Sequence, residues 1–327
     1  MPDVLRISSA TSISVAIAAI ADQITLDPAT LDSTVSGGTA PYTYAWSCPS
    51  GGTFGDATAL DSSYTPAGGG VHALVLTVTD AGGQTATAVV ELTVGVQGAD
   101  GEWWYVDWEL NPATMSDHDF KVGPLTHDGV TLTLDGTADT AEITAGVLTL
   151  KPTGPADIFL WSLGNEPSTV LGRDVCWMAA FGADLTANND GVLILYGNSG
   201  TTVFGFAEAR KVSGAQLVDM QRAGTAPQYD ATAGGGQARI VGLRSAGRYS
   251  MQCVYSETAL SGGAWPAPSS MSKHDKVPSG WYTLDDSSPA DSADSLAAAT
   301  DRVRVVQVRG ANARSYTITR LARLVRA

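Results

Sequence analysis

Basic residues are scarce in this sequence. Lys and Arg total 19 against 33 Asp and Glu, so the formal net charge is −14 and the isoelectric point is near 4.5. Charged residues of both signs make up only 16% of the chain. An acidic surface repels the phosphate backbone of DNA and RNA. We therefore expect no nucleic-acid partner.

Cysteines and long apolar runs are also scarce. Cys48, Cys176 and Cys253 lie far apart and show no Cys-x-x-Cys spacing, which argues against a structural zinc site. We expect three buried free thiols, with one disulfide as the alternative. No run reaches the ~20 apolar residues of a membrane span, so no membrane insertion is expected. Residues 13–21 resemble a short signal peptide, but their alternation of apolar with small residues favours a strand.

Catalytic motifs are missing as well. The sequence has no Gly-x-Ser-x-Gly nucleophile turn, no phosphate-binding glycine loop and no Glu-x-Asp-x-x-Glu strand of the sandwich glucanases. Its glutamates are not paired at i, i+2 or i, i+4 spacing, and its four histidines stand apart from one another. We therefore predict that the protein is not an enzyme. A polysaccharide-active enzyme is the least favoured alternative.

What the sequence does contain is a series of short alternating segments separated by turn residues, with 36 Gly and 15 Pro. Residues 42–46 alternate aromatic with small residues. Residues 74–79 and 85–94 have the pattern of strands, and the turn residues 80–83 between them predict a hairpin. A single Trp on a central strand, here Trp46, is typical of immunoglobulin-like sandwiches. The fold class predicted is all-β.

Two segments of this region resemble a known family. Residues 37–47 and 78–83 are similar to polycystic kidney disease (PKD)-type and related bacterial Ig-like repeats. The Trp-Asp-Phe-Gly-Asp-Gly stretch of that family is absent, because Ser47 and Cys48 follow the Trp. The resemblance implies an Ig-like β-sandwich over residues 1–95, including an N-terminal strand segment. Such domains serve as spacers or adhesive modules without catalysis.

A larger second domain is predicted after a linker. Residues 96–102 are rich in Gly and acidic residues, and the domain follows over residues 103–327. About ten alternating segments, from Val130 to Thr319, predict a jelly roll, which is a sandwich of two antiparallel sheets. Residues 181–197 resemble laminin-G and concanavalin A-like lectin domains, in which a strand, a polar turn and a Gly-Val-Leu-Ile-Leu segment recur. The resemblance implies a lectin-like sandwich.

The second domain opens with an aromatic segment, residues 103–108, which contains three Trp and one Tyr. Aromatic rings in a row can form a platform on which a sugar stacks. At the start of a domain such a segment more often covers a sheet edge, which is the interpretation we favour.

Two further groups of residues are candidates for binding. Asp184, Asn188, Asn189 and Asp190 form an oxygen-rich turn that can hold calcium, although Asn and Asp are also ordinary turn residues. No other cofactor is expected. Residues 258–300 form the longest irregular segment, and Trp265, Trp281 and Tyr282 within it are candidates for a ligand loop. The alternative is that these rings pin the segment to the sandwich.

Arginines dominate the end of the sequence. Seven of them follow Asp301 with no acid among them: Arg302, Arg304, Arg309, Arg314, Arg320, Arg323 and Arg326. Arg302, Arg304, Arg320, Arg323 and Arg326 are predicted to form a basic edge that contacts another subunit, because Arg is favoured at interfaces. The alternative is internal compensation by the aspartates of residues 285–301.

These features together lead to a functional hypothesis. Both domains look like surface-display modules, and such sandwiches are recurrent on the heads and tails of tailed phages. We expect a non-catalytic structural protein of a tailed-phage virion surface, either a head decoration or fibre, or a tail appendage. Its partners would be further copies of itself or capsid and tail proteins, with a cell-surface carbohydrate as a further candidate. The alternative is a secreted, extracellular bacterial carbohydrate-binding protein or adhesin.

Overall fold

The computed structural model describes residues 12–135, 140–151, 158–163, 175–182, 191–198, 203–212, 215–222, 228–231, 238–245, 251–260, 264–273, 301–309 and 315–326. Regular structure in these ranges is β-strand, apart from single 3-10 turns at Pro112–Thr114 and Pro268–Ser270. The all-β fold class is therefore confirmed. No helix long and apolar enough to cross a membrane occurs in these ranges. The chain divides into two compact units between Val96 and Gln97.

The first unit consists of short antiparallel strands. They are β1 Ser14–Ile17, β2 Ala29–Leu31, β3 Ser33–Ser36, β4 Thr43–Ser47, β5 Thr53–Phe54, β6 Ser62–Thr65, β7 Gly70–Thr79 and β8 Thr85–Val94, with β9 Val96–Gln97 at the division. Three sheets result, with strand orders β1-β3, β2-β6-β5 and β4-β7-β8. Side chains from all three sheets enclose one hydrophobic core.

Alternation places the core of this unit. On β7, His72, Leu74, Leu76 and Val78 are buried, while the residues between them face outward. Trp46 lies opposite Leu76 across the β4–β7 pair, and its Nε1 donates a hydrogen bond to the Ala59 carbonyl at 3.0 Å. The alternating segment after residue 13 forms β1, whose apolar side chains pack against this core.

The β7–β8 hairpin is closed by the buried carboxylate of Asp80. It accepts hydrogen bonds from three backbone N–H groups, those of Gln84 at 2.8 Å and of Thr39 and Gly82 at 2.9 Å. The Gln84 hydrogen bond makes the largest contribution to lowering the pKa of the Asp80 carboxyl. Burial opposes it, and the hydrogen bonds from Thr39 and Gly82 add to it. The turn predicted at residues 80–83 is thus present, held by a side chain that the turn itself supplies.

This carboxylate makes the first unit sensitive to acid. Because the pKa of Asp80 is lowered in the folded state, its stabilising effect is present above the ordinary carboxyl range and is lost as the pH falls from that range to the lowered pKa of the folded state. We expect Asp80→Asn to lower the thermal midpoint of the unit at pH 7, since the amide replaces one of the two accepting oxygens with an NH2 group that faces a backbone N–H. We also expect it to flatten the acid dependence in a pH series of thermal scans. Glu91→Gln, which removes an exposed carboxylate from β8, is the control; an equal effect of both changes would contradict the prediction.

The second unit contains the remaining strands. They are β10 Trp103–Leu110, β11 His118–Asp119, β12 Leu125–His127, β13 Val130–Asp135, β14 Thr140–Thr144, β15 Val147–Lys151, β16 Ile158–Leu163, β17 Val175–Phe181, β18 Gly191–Asn198, β19 Val203–Val212, β20 Ala215–Arg222, β21 Gln228–Ala231, β22 Ile240–Ser245, β23 Met251–Ser256, β24 Ser272–Lys273, β25 Asp301–Arg309 and β26 Tyr316–Arg326. They pair in two antiparallel sheets.

The two sheets of this unit form a sandwich. The β26 sheet has the order β11-β14-β15-β26-β17-β22-β23-β24, with β10 also paired to β26. The β25 sheet has the order β12-β13-β16-β25-β18-β19-β20-β21. Strands of one sheet pack on those of the other, as β19 does on β22 and β23. This two-sheet sandwich is the architecture that was predicted from the sequence. The ten predicted segments correspond to ten of these strands, and β10, β11, β12, β16, β20, β21 and β24 were missed.

The middle of the β26 sheet is buried on both faces. All seven residues of β17 are buried, as are residues 321–325 of β26 and residues 240–244 of β22. A strand covered on both faces reads as a continuous apolar run instead of an alternating one. In β26, residues 321–325 are covered on both faces and show no alternation, and arginines interrupt the apolar run. The prediction that the last strand ends at Thr319 is therefore wrong, and β26 continues to Arg326.

Candidate functional site

Three of the five arginines predicted to form a basic edge lie on the interior strand β26. β26 pairs with β17 along one side and with β10 and β15 along the other. Around it is a group of side chains that we call the Arg–Trp cluster: Arg320, Arg323 and Arg326 of β26, the carboxylates Glu102, Asp107 and Glu109, and the rings of Trp104, Trp108, Trp177 and Trp265.

A bulge in β10 places the cluster on both faces of the sheet. Trp104 lies opposite Arg326, whereas Trp108 lies opposite Arg323, because the register shifts between Val106 and Trp108. Arg323 and Arg326 have opposite parity along β26 and so point to opposite faces. A regular strand would have put both Trp side chains on one face. The bulge instead makes Asp107 the extra residue beside Arg323.

The Arg323 side chain is the most deeply buried charge of the cluster, with 4% of the residue exposed. Its Nε donates to Asp107 Oδ2 at 2.6 Å, and its Nη2 contacts the same oxygen. The guanidinium carbon lies 5.4 Å from the centre of the Trp177 ring, and Trp108 packs against Trp177 at 5.6 Å between ring centres. A carboxylate on one side and an aromatic face on another both stabilise a buried guanidinium.

Arg320 repeats this arrangement on the opposite face. Its Nη2 contacts Glu109 Oε1, and the same oxygen accepts a hydrogen bond from Trp265 Nε1 at 2.7 Å. The guanidinium carbon of Arg320 lies 5.6 Å from the centre of the Trp265 ring. Trp265 is 1% exposed, so this contact ties the segment after β23 to the sheet.

Arg326 completes the series near the surface. Its Nη2 lies 3.1 Å from Glu102 Oε1, and the two side chains are 27% and 45% exposed. An exposed pair of this kind contributes about 0–1 kcal/mol, whereas breaking a buried pair costs about 3–5 kcal/mol. The Arg323–Asp107 pair therefore contributes more to the stability of the unit than the exposed Arg326–Glu102 pair does. Nearby, Arg244 stacks on Trp104, with 5.2 Å between its guanidinium carbon and the ring centre.

The predicted position of the basic edge is wrong, because β26 is not at an edge of its sheet. Arg320, Arg323 and Arg326 form ion pairs within their own unit. A contact of Arg326, the most exposed of the three, with another subunit stays a prediction. Internal compensation was the stated alternative. The acids that provide it come from β10 and the residue before it, whereas the aspartates proposed for this role at residues 285–300 lie outside the described residues.

Arg302 and Arg304 lie on β25, which is also interior, between β16 and β18. A contact of these two residues with another subunit stays a prediction.

The other candidates are placed only in part. Trp265 is buried and hydrogen-bonded within the unit, so its ring lacks the exposure of a sugar platform, whereas Trp281 and Tyr282 lie outside the described residues. The calcium candidates Asp184, Asn188, Asn189 and Asp190 also lie outside them. Within the described part of the chain, no group of three or more His, Cys, Asp or Glu side chains is placed to hold a metal ion.

The aromatic segment at the start of the second unit is buried within the fold. Trp104 is 0% exposed and Trp108 is 2% exposed, and Trp108 Nε1 donates to the His127 carbonyl at 2.9 Å. Rings buried in this way pack within the β26 sheet, in which β10 pairs with β26, and they are not exposed as a platform for a sugar. Glu102, Asp107 and Glu109 were not predicted from the sequence. The sequence does contain an indication of these residues, because acids occur at short spacing in an otherwise apolar aromatic strand. A carboxylate that is buried with such a strand needs a basic partner.

Comparison with known proteins adds little to this geometry. No protein-family model matches the chain, and no curated protein matches it. Among solved structures, the chain is similar to one described as "Structural basis for the promiscuous specificity of the carbohydrate-binding modules from the beta-sandwich super family". The similarity covers 96% of this chain and 97% of that chain, at 13% identity and a TM-score of 0.27. A TM-score this low carries no argument about ligand or function.

Proposed function

We propose that the chain is a non-catalytic structural protein of a tailed-phage virion surface, in which β-sandwich units present surfaces to the outside. The observation that supports this most is that the charged and aromatic side chains of the second unit contact one another instead of facing a binding site. The arginines, carboxylates and Trp rings of the Arg–Trp cluster pair with one another inside the fold. Groups engaged in this way hold a sheet together and do not present a reactive surface to a substrate.

The charge of the first unit also supports the proposal. Residues 12–96 contain seven carboxylates and no Lys or Arg: Asp22, Asp27, Asp32, Asp56, Asp61, Asp80 and Glu91. A surface of one sign keeps a display module soluble and disfavours attachment to nucleic acid released around it. Both properties suit a module on the outside of a particle that leaves a lysed cell.

A secreted bacterial carbohydrate-binding protein or adhesin is the second candidate. The observation in its favour is the two-sheet sandwich of the second unit, an architecture shared by lectin domains. In that case the extracellular medium or the cell surface replaces the virion as the location. A glycan is then the main partner, whereas in the virion proposal the main partners are other subunits.

The proposal is tested by locating the protein. Antibodies against the purified chain should decorate phage particles in immunogold electron microscopy, using lysates of the bacterium or phage whose genome carries the gene. Labelling of bacterial cells or of the culture medium without particles would contradict the virion proposal and favour the second candidate. Incubation with a polysaccharide panel should release no reducing ends, and release that disappears on changing one carboxylate would refute the non-catalytic assignment.

A further inference from the structure

The outer face of the β4-β7-β8 sheet in the first unit has no role in the functions above. On each of these strands the residues between the core-facing ones point away from the core. Cross-strand pairing aligns them in five rows, which we call the Thr–Val face: Thr43, Thr79 and Thr85; Ala45, Thr77 and Thr87; Ser47, Val75 and Val89; Ala73 and Glu91; Val71 and Thr93. The pairing of β7 with β8 has no register shift, so the rows are regular.

The Thr–Val face is exposed and carries a single charge. Its residues on the outer strands β4 and β8 are all exposed except Thr93, which is half-buried. Val71 and Val89 are 47% and 60% exposed, and they are the exposed large apolar side chains of residues 12–96. Glu91 is the charged residue of the face, whereas the other six carboxylates of this acidic unit lie off it. Another protein surface can therefore contact this face while desolvating only one charge.

The order of the rows makes the face complementary to a second copy of itself. Two copies can stack face to face about a two-fold axis that runs across the strands along the row of Val75 and Val89. These two valines then pack against the same valines of the second copy. Glu91 of each copy lies over the row that contains Thr77 and Thr87 of the other, and threonine hydroxyls donate hydrogen bonds to a carboxylate.

This arrangement keeps the like charges of the face apart. Residues two apart along a strand are separated by about 6.6 Å, so the two Glu91 residues lie about 13 Å from each other along the strands. This separation exceeds the Debye length of about 8 Å at physiological ionic strength. The repulsion that remains is the long-range one between two units that each have seven carboxylates and no Lys or Arg in residues 12–96.

The area of the face determines the strength of such a contact. Each residue of a sheet face covers about 6.6 Å along the strand and about 4.8 Å across it. The thirteen residues of the Thr–Val face, three on β4 and five each on β7 and β8, therefore give about 800 Å² for two copies together. Stable interfaces bury about 1,200–2,000 Å², so the contact is weak between free molecules and gains strength where many copies are held close together.

We infer that the Thr–Val face is a self-association surface, through which the first units of two copies of this chain stack as a weak two-fold dimer. The inference does not depend on whether the chain is a virion protein or a secreted one. Salt strengthens this contact, because its centre is apolar and the two acidic units repel each other at long range. A contact with a basic protein would instead weaken as salt is added.

The test is sedimentation equilibrium of the intact chain over a concentration series that reaches about 1 mM, the weak end of protein affinities. We expect the mass to rise reversibly from 33.7 kDa towards that of a dimer. We also expect tighter association in about 0.5 M salt than in about 0.05 M salt. A mass that stays at 33.7 kDa throughout, or an association that weakens with salt, would overturn the inference.

A variant at the centre of the face locates the contact. Val89→Asp brings two carboxylates together at the axis and is expected to weaken the association at least about tenfold. Because Val89 is 60% exposed, the thermal midpoint should stay unchanged. The matched control is Val122→Asp, the same change at a position 87% exposed in the second unit, which should leave the association unaltered. Equal effects of the two changes would refute the assignment to this face.

A second variant tests the order of the rows. Thr87→Lys places an ammonium group opposite Glu91 of the second copy and is expected to tighten the association about two- to fivefold, beyond any change in Val122→Lys. Weakening by Thr87→Lys would refute the stacking described above. If the chain stays monomeric while Val89→Asp lowers its immunogold labelling of phage particles, the face belongs to a contact with a different subunit and the self-association is refuted.

Discussion

Replacing Asp107 with asparagine is expected to lower the free energy of unfolding of the second unit by about 3–5 kcal/mol, because the Arg323 guanidinium stays buried without its carboxylate. Unfolding can be followed by Trp fluorescence, since Trp46 is the single Trp before residue 97 and the other seven of eight follow it. The fluorescence change therefore reports mainly on the second unit.

Two further variants test whether burial of the Arg323–Asp107 pair causes the loss of stability expected in Asp107→Asn. Glu102→Gln breaks the exposed pair with Arg326 and is expected to cost about 0–1 kcal/mol. The double change Asp107→Leu with Arg323→Met replaces the buried pair with apolar groups and is expected to recover most of the stability lost in Asp107→Asn. If Glu102→Gln were as damaging as Asp107→Asn, the buried pair would not be the main contributor to the stability of the unit.

The regular parts of the fold were accessible from the sequence because their patterns are local. Residues 74–79 alternate, and Asp80 begins a turn of residues that adopt the required backbone, so the β7–β8 hairpin follows from a short window. The strand β1 follows from alternation in the same way. A strand with one buried face and one exposed face can be predicted from the alternation of its residues alone.

The Arg–Trp cluster was not accessible in that way. Asp107 and Arg323 are 216 positions apart, and no local pattern indicates that they meet. β26 is buried on both faces, so it lost the alternation by which it would have been recognised beyond Thr319. The bulge in β10 then changed which face Trp108 occupies. Arginines that pair with acids across a sheet look, in the sequence alone, like an exposed basic segment.

The two roles considered for Trp265 predict different results. As a ligand platform, the ring would contribute binding and little stability. As a buried pin, it contributes the burial of a large side chain and a hydrogen bond to Glu109. The geometry favours the second role, because the same Glu109 oxygen also meets Arg320 and a lost Trp would leave that pair partly exposed.

We expect Trp265→Ala to lower the free energy of unfolding of the second unit by about 3–5 kcal/mol, as for other large buried rings. Trp265→Phe keeps most of the buried area and loses the N–H donor to a charged acceptor, so about 1.5–3 kcal/mol is expected. Val122→Ala, at a position 87% exposed, is the control and should change the value by less than about 0.5 kcal/mol. Chemical denaturation followed by Trp fluorescence measures all three. A Trp265→Ala protein with unchanged stability and reduced binding to a glycan array would assign the ring to a ligand and not to the fold.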